Sequence, residues 1–256
     1  MSDPVAARQE GSVLRLVLNR PESSNALSPE IVEALLSAVE AAPDDGVRLI
    51  VLEGAGKHFC AGFNLSDLDS LSDGDLLLRL VRIETLLQAV YRAPVPTMAL
   101  VRGAAMGAGA DLVAACRRRI VVGGARFAFP GAGFGIALGT RRLARRVGPD
   151  RTLEIVAGGL RLDQDAAQRA GLVDAVIAED AVAGIVSDYA ATADRLETDI
   201  LATVGGLTLE DGGSADLAAR DMATLVASAS RPGLKERVVR YQEEVRRARE
   251  QRGRTV

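Results

Sequence analysis

An α/β fold is predicted for this chain, on three observations. Apolar runs of strand length alternate with amphipathic helical stretches through most of the sequence. After about residue 195 the strand pattern stops, and the remainder reads as helical, polar apart from its apolar stripes. With 256 residues, 48% of them hydrophobic, the chain can bury a full core, as one large domain or a domain with an appendage.

The elements follow in order. Residues 4–9, a turn at Glu10-Gly11 and the alternating run SVLRLVLN (12–19) predict a β-hairpin. Ser28 caps a helix with Pro29 just inside it, continuing through IVEALLSAVEA. RLIVLEGA (48–55) is a continuous apolar strand, and GAGKHFCAGFNL (54–65) a glycine-punctuated loop. Leu76, Leu80, Ile83, Leu87 and Val90 recur at helical spacing over 74–92, and the helix must end before Pro94 and Pro96. Strand TMALV (97–101), a Gly/Ala turn and helix ADLVAAC (110–116) come next, then strands RRIVVGG (118–124) and ARFAFP (125–130). RTLEIVAGG (151–159) reads as helix, and Asp163 caps a short helix that stops at Gly171.

Composition narrows the function. The net charge is −3 and there is no Trp, so neither long-range attraction to nucleic acid nor a base-stacking platform is expected. His58 is the one histidine and Cys60 and Cys116 the two cysteines, which excludes a disulfide framework and multi-His or Cys-based metal clusters. Charged and glycine residues interrupt the longest apolar segment, 95–116, and the N-terminus MSDPVAARQEG has no signal character. The expectation is a cytoplasmic protein that contacts neither membrane nor nucleic acid.

Four segments then carry a resemblance. LNRPESSNAL (18–27), GAGKHFCAGFNL (54–65), VRGAAMGAGADLVAAC (101–116) and ARFAFPGAGFGIALGTRRLARRVG (125–148), the last leading to AAQRAGLV (166–173), resemble in order and spacing the signatures of the crotonase (enoyl-CoA hydratase/isomerase) family. Each alone is weak; the ordered set is specific. The resemblance implies a spiral of repeated ββα units, with an acyl-CoA-binding core over 1–195 and a C-terminal helical oligomerisation region over 196–256. It also implies a homotrimer or homohexamer, a place in fatty-acid metabolism, and no cofactor beyond the coenzyme A of the substrate.

Thioester chemistry explains the two glycine-bearing loops. The α- and β-carbons of an acyl-CoA react only if negative charge on the thioester oxygen is held as it develops, and two aimed backbone N–H groups do this without an ionisable side chain. By resemblance those donors are Phe63, after Ala61-Gly62, and Ala108, inside Gly107-Ala108-Gly109. Ala108 also opens a helix whose N-terminal partial charge favours an oxyanion. Lys57, Ala61, Asn64, Leu65, Gly107 and Gly131 are the accompanying substrate- or CoA-contacting candidates.

The pattern departs from the family's hydratases in its acids. Their two Glu positions fall here on Asp111, one methylene shorter, and on Gly131, which transfers no proton. The stretch between Pro130 and Gly139-Thr140 is also shorter than usual. One carboxyl suits proton transfer between carbons, as in double-bond isomerisation, better than concerted water addition. Two readings stay open: an isomerase-like enzyme using Asp111, or a non-catalytic acyl-CoA binder in which Asp111 merely favours the helix dipole. Glu84 is a spare acid or a solvated helix residue. His58 reads as a CoA contact or a surface histidine, and both cysteines as apolar filler. Arg15, Arg20, Lys235 and Arg237 are further cations for the CoA phosphates, and Leu217, Leu225 and Val226 offer an apolar stripe to another subunit.

Overall fold

The computed structural model describes residues 2–209 and 215–253 and has the mixed α/β architecture expected. Strands β1 (Val5–Glu10) and β2 (Val13–Leu18) form the N-terminal hairpin, with Gly11 at φ +60 in its turn. From β2 the sheet continues in parallel through β3 (Leu49–Gly54), β4 (Thr97–Met106) and β5 (Arg118–Ala128). Two short strands finish it on β5: β6 (Leu162–Asp163), antiparallel, and β7 (Ala175–Ile177), parallel. β3 opens with four consecutive buried residues, Leu49 to Leu52, as a strand covered on both faces requires.

The helices form where caps and apolar periodicity agree. Ser28 Oγ accepts from the Ile31 N–H to start α1 (Pro29–Ala41), which buries Ile31, Val32, Leu35, Leu36 and Val39, each worth about 1.5–3 kcal/mol. Ser72 and Asp75 make a reciprocal capping box at the start of α2 (Asp73–Arg92). Then follow α3 (Ala108–Ala115), α4 (Thr140–Val147), α5 (Pro149–Val156) and α6 (Gln164–Arg169), the last capped by Asp163. Beyond β7 the described chain is helical: α7 (Val182–Asp194), α8 (Thr198–Leu207), α9 (Asp216–Ala229) and α10 (Leu234–Gly253).

Two strand boundaries differ from the sequence reading. β4 does not turn after Val101: it slips register between Val101 and Gly103 and runs on to Met106, leaving only Gly107 to make the turn. The cause is backbone pairing on both sides. Residues 103–106 stay in register with β5, while Phe59 N donates to Arg102 O, Cys60 N to Ala104 O and Met106 N to Cys60 O. A Cβ on Gly103 (φ +63) would sit 2.1 Å from Lys57 O, so only glycine lets the 54–60 segment lie there. Likewise 118–124 and 125–130 form one strand rather than two.

One residue of the apolar stripe on α9 has a partner within its own chain. Leu225 is fully buried against Leu76, Leu80, Leu234 and Val238 of its own chain, so it is core and not a free surface. No described helix is long and apolar enough to cross a membrane.

Candidate active site

Three elements meet where β4 ends. Gly107 (φ +52, ψ −126) reverses the chain into α3, with its N–H held by Ala128 O at 2.8 Å. Ala108 is the first residue of α3, where backbone N–H groups have no acceptor within the helix. The 54–65 loop lies beside it: Leu27 N donates to Gly62 O, and Gly62 (φ +90) comes so close that a Cβ would be 2.4 Å from Met106 O and 3.3 Å from Ala108 N. Gly109 is equally constrained, since a Cβ there would lie 2.6 Å from Cys60 O. The two loops are thus interlocked by glycine contacts, and Phe63 and Ala108 line one cavity with Asp111.

Asn25, which no motif had singled out for a role, pins this arrangement. It is fully buried at φ +56, accepts from Arg20 N, and donates to Ala55 O at 2.9 Å and His58 O at 2.8 Å. A buried carboxamide with both ends satisfied holds the loop base as firmly as a short ladder would. His58 is half-buried rather than a surface histidine, because its Nδ1 accepts from Ala104 N at 3.1 Å.

The cavity encloses about 150 Å³. Its wall is mostly apolar: Phe63, Leu65, Leu80, Phe134, Ile136, Leu138, Leu143, Val156 and Val238. The polar side chains on it are Asp111, Thr140, Tyr241 and Gln242, so among the described lining residues Asp111 is the one carboxyl. Asp111 sits in the first turn of α3, its Oδ1 buried without a hydrogen-bond partner. Burial drives its carboxyl well above the usual range; Arg142 opposes that shift and Glu84 adds to it. Gly139 (φ +67) abuts the carboxyl so tightly that a Cβ would fall 2.1 Å from Oδ1.

Glu84 is neither a spare acid nor solvated. It is 1% exposed and locked to Arg142, Oε2 accepting at 2.5 Å and Oε1 at 3.0 Å, with Gln88 Nε2 donating to the same Oε1 at 2.9 Å. Sequence periodicity placed Glu84 on α2 but could not show that Arg142, 58 positions on, would face it.

The cavity shares walls at Ala61, Leu65, Phe129, Pro130, Tyr241 and Gln242 with a wider groove of about 840 Å³. Ser24, His58, Met106, Arg161 and Arg246 line that groove. Arg161, Arg246, Tyr241 and Gln242 had not been expected there; they reach it from the β6 approach and from α10, so only tertiary packing reveals them. Lys57 is exposed and lines a neighbouring recess with Arg126 and Asp163. Gly131 and Gly107 line the cavity; Asn64 is not among its lining residues, and its Oδ1 accepts from Ser66 N at 2.9 Å.

The other expected cations are engaged elsewhere. Arg15 pairs with Glu53 at 2.6 Å, and Arg20 donates to Ser2 O, Asp3 O and Asn19 O. Lys235 donates to Asp69 O and Leu71 O, and Arg237 to a set of backbone carbonyls that includes Phe134 O. Both brace α10 against the core. Of the basic C-terminal segment, residues 254–256 lie outside the described residues. The Cys60 and Cys116 thiols are each pushed by burial up to about 12, which fits inert filler.

An interlocked pair of glycine loops opening on a buried carboxyl defines a protein of the crotonase type, and comparison bears this out. The enoyl-CoA hydratase/isomerase family pattern matches residues 8–204, and the chain belongs to that family. A crystal structure from Bordetella parapertussis, assigned to the enoyl-CoA hydratase/isomerases, superposes with a TM-score of 0.90 at 41% identity, covering 94% of this chain and 99% of that one. A 2,3-dehydroadipyl-CoA hydratase from Escherichia coli is 36% identical over 185 residues, 70% of this chain and 71% of that one. An enoyl-CoA isomerase/hydratase from Mycosarcoma maydis is 30% identical over 187 residues, 68% of each.

Proposed function

We propose that this protein transfers a proton between carbons of an acyl-CoA thioester, with Asp111 as the acid–base group and double-bond isomerisation as the reaction. The observation that carries the reading is Asp111, the one carboxyl among the described lining residues, on the same wall as Phe63 and Ala108. In this scheme the thioester oxygen accepts from the Phe63 and Ala108 N–H groups. The ionised Asp111 takes a proton from the α-carbon, the electron pair moves onto the thioester oxygen, and the resulting acid returns the proton at the γ-carbon as the double bond shifts. Raising the carboxyl's proton affinity makes its base form stronger, which suits so weak a carbon acid. The coenzyme A portion lies along the groove, with Arg161 and Arg246 facing its phosphates.

Gly131 stands where hydratases carry a second Glu, and its surroundings support loss of that role. The short turn folds back so that Ile136 N donates to Gly131 O, and a Cβ on Gly131 would be 3.1 Å from Ile136 O. A side chain added there crowds the Ile136 carbonyl, which would have to shift to admit it.

The test is Asp111→Asn, which is isosteric and leaves the backbone donors in place. Acyl-CoA affinity is expected to hold, while α-proton exchange in heavy water and double-bond migration fall by roughly 100-fold or more. Full activity in the variant would remove Asp111 from the mechanism. Absence of exchange in the unsubstituted protein with every acyl-CoA tried would favour the non-catalytic binder.

A further inference from the structure

We infer that the acyl group this site takes is short and uncharged, about six carbons or fewer counting the thioester carbonyl. The inference rests on the acyl-CoA reading above and deepens it. A cavity of about 150 Å³ lined by Leu, Ile and Phe holds a benzene-sized group, and this cavity has that volume and that kind of wall. Part of its wall is built from buried side chains of the core itself. Leu80 from α2, Ile136 and Val238 from α10 are 5%, 3% and 3% exposed and belong to one packed cluster with Leu76 and Leu225. A longer chain would have to displace residues already in close contact, and well-packed cores resist added methylenes.

The wall from α10 is fixed and not a loose flap. Tyr241 lies over Gly133, where a Cβ would be 2.8 Å from its ring, and stacks tilted on Phe134 at 5.4 Å. Asp73 accepts from Leu234 N and Lys235 N at the head of the helix. Charge is excluded on separate grounds. No Arg or Lys is among the described lining residues, and the guanidinium groups behind the wall are committed, Arg141 to Asp221, Arg142 to Glu84 and Arg237 to backbone carbonyls that include Phe134 O. A carboxylate at the end of the acyl chain would be buried against apolar side chains without a counter-ion, which is strongly unfavourable.

Calorimetric titration with saturated acyl-CoAs of two to sixteen carbons, plus adipyl-CoA, tests this without turnover. Affinity is expected to rise to about six carbons. The twelve-carbon chain and the six-carbon chain with a terminal carboxylate should then bind at least ~10-fold more weakly than hexanoyl-CoA. Leu80→Ala and Val238→Ala should each move the optimum to longer chains. Equal or tighter binding of dodecanoyl- or adipyl-CoA would overturn the inference while leaving the acyl-CoA reading intact. So would an unchanged chain-length profile in folded variants. Failure of every acyl-CoA to bind would overturn both.

Discussion

Replacing Glu84 by Gln tests the polar support beneath Asp111. Glu84 and Arg142 are each 1% exposed, and their two contacts at 2.5 and 3.0 Å neutralise a guanidinium that has almost no access to water. Removing one partner of such a pair costs about 3–5 kcal/mol, because the charge left behind is buried and uncompensated. The lower end applies here: the amide oxygen still accepts one bond, and Asp221 Oδ2 lies 3.4 Å from Arg142 Nη1. A loss of about 3 kcal/mol corresponds to roughly a hundredfold change in the unfolding constant. Urea denaturation followed by far-ultraviolet circular dichroism is the assay, since the chain has no Trp to report by fluorescence. The double replacement Glu84→Met, Arg142→Met should recover most of the loss, because the penalty belongs to the orphaned charge rather than to the missing contact. Activity gives a second, independent readout. Glu84 raises the proton affinity of Asp111 and Arg142 lowers it, so taking away the Glu84 charge lets the carboxyl ionise at lower pH. The rising limb of the exchange rate should move to lower pH in Glu84→Gln. A stability loss under about 1 kcal/mol, or a limb that moves to higher pH, would refute the reasoning.

Two further outcomes follow from the same site. The folded state holds the Asp111 proton well above the ordinary value of 3.8, so wild-type stability from this group is full below that value and declines as pH rises towards the folded-state pKa. Asp111→Asn lacks that decline, and its stability relative to wild type, measured by urea denaturation at several pH values, should grow with pH; a constant difference would contradict the buried neutral acid. Gly139→Ala places a methyl 2.1 Å from Asp111 Oδ1 at φ +67, so it should displace the carboxyl. Exchange activity should then fall at least ~10-fold, against a stability loss of about 1–3 kcal/mol measured in the same urea assay. Activity equal to wild type would show that the carboxyl's position there is unimportant.

Much of this protein was legible in the sequence because its signals are local. Capping residues such as Ser28 and Asp163 satisfy donors three residues away, and the apolar periodicity of α2 is a property of one helix. The glycine loops were equally readable, since Gly62 and Gly107 occupy backbone conformations that few other residues adopt. Boundaries failed where backbone pairing was long-range: β4 runs past Val101 because the 59–60 segment and β5 take up its hydrogen bonds. The partners of charged side chains were the least legible. Arg15, Lys235 and Arg237 look like free cations in a string of letters, yet each is spent on a group brought near by folding. Glu84 shows the same limit more sharply, because whether a helix carboxyl is solvated or buried depends on what faces it. The sequence by itself determined the family and the glycine loops. Tertiary structure alone decided the burial that raises the proton affinity of Asp111, the apolar wall around it and the arginines along the groove, since burial and charge pairing are set by distances between residues far apart in the chain.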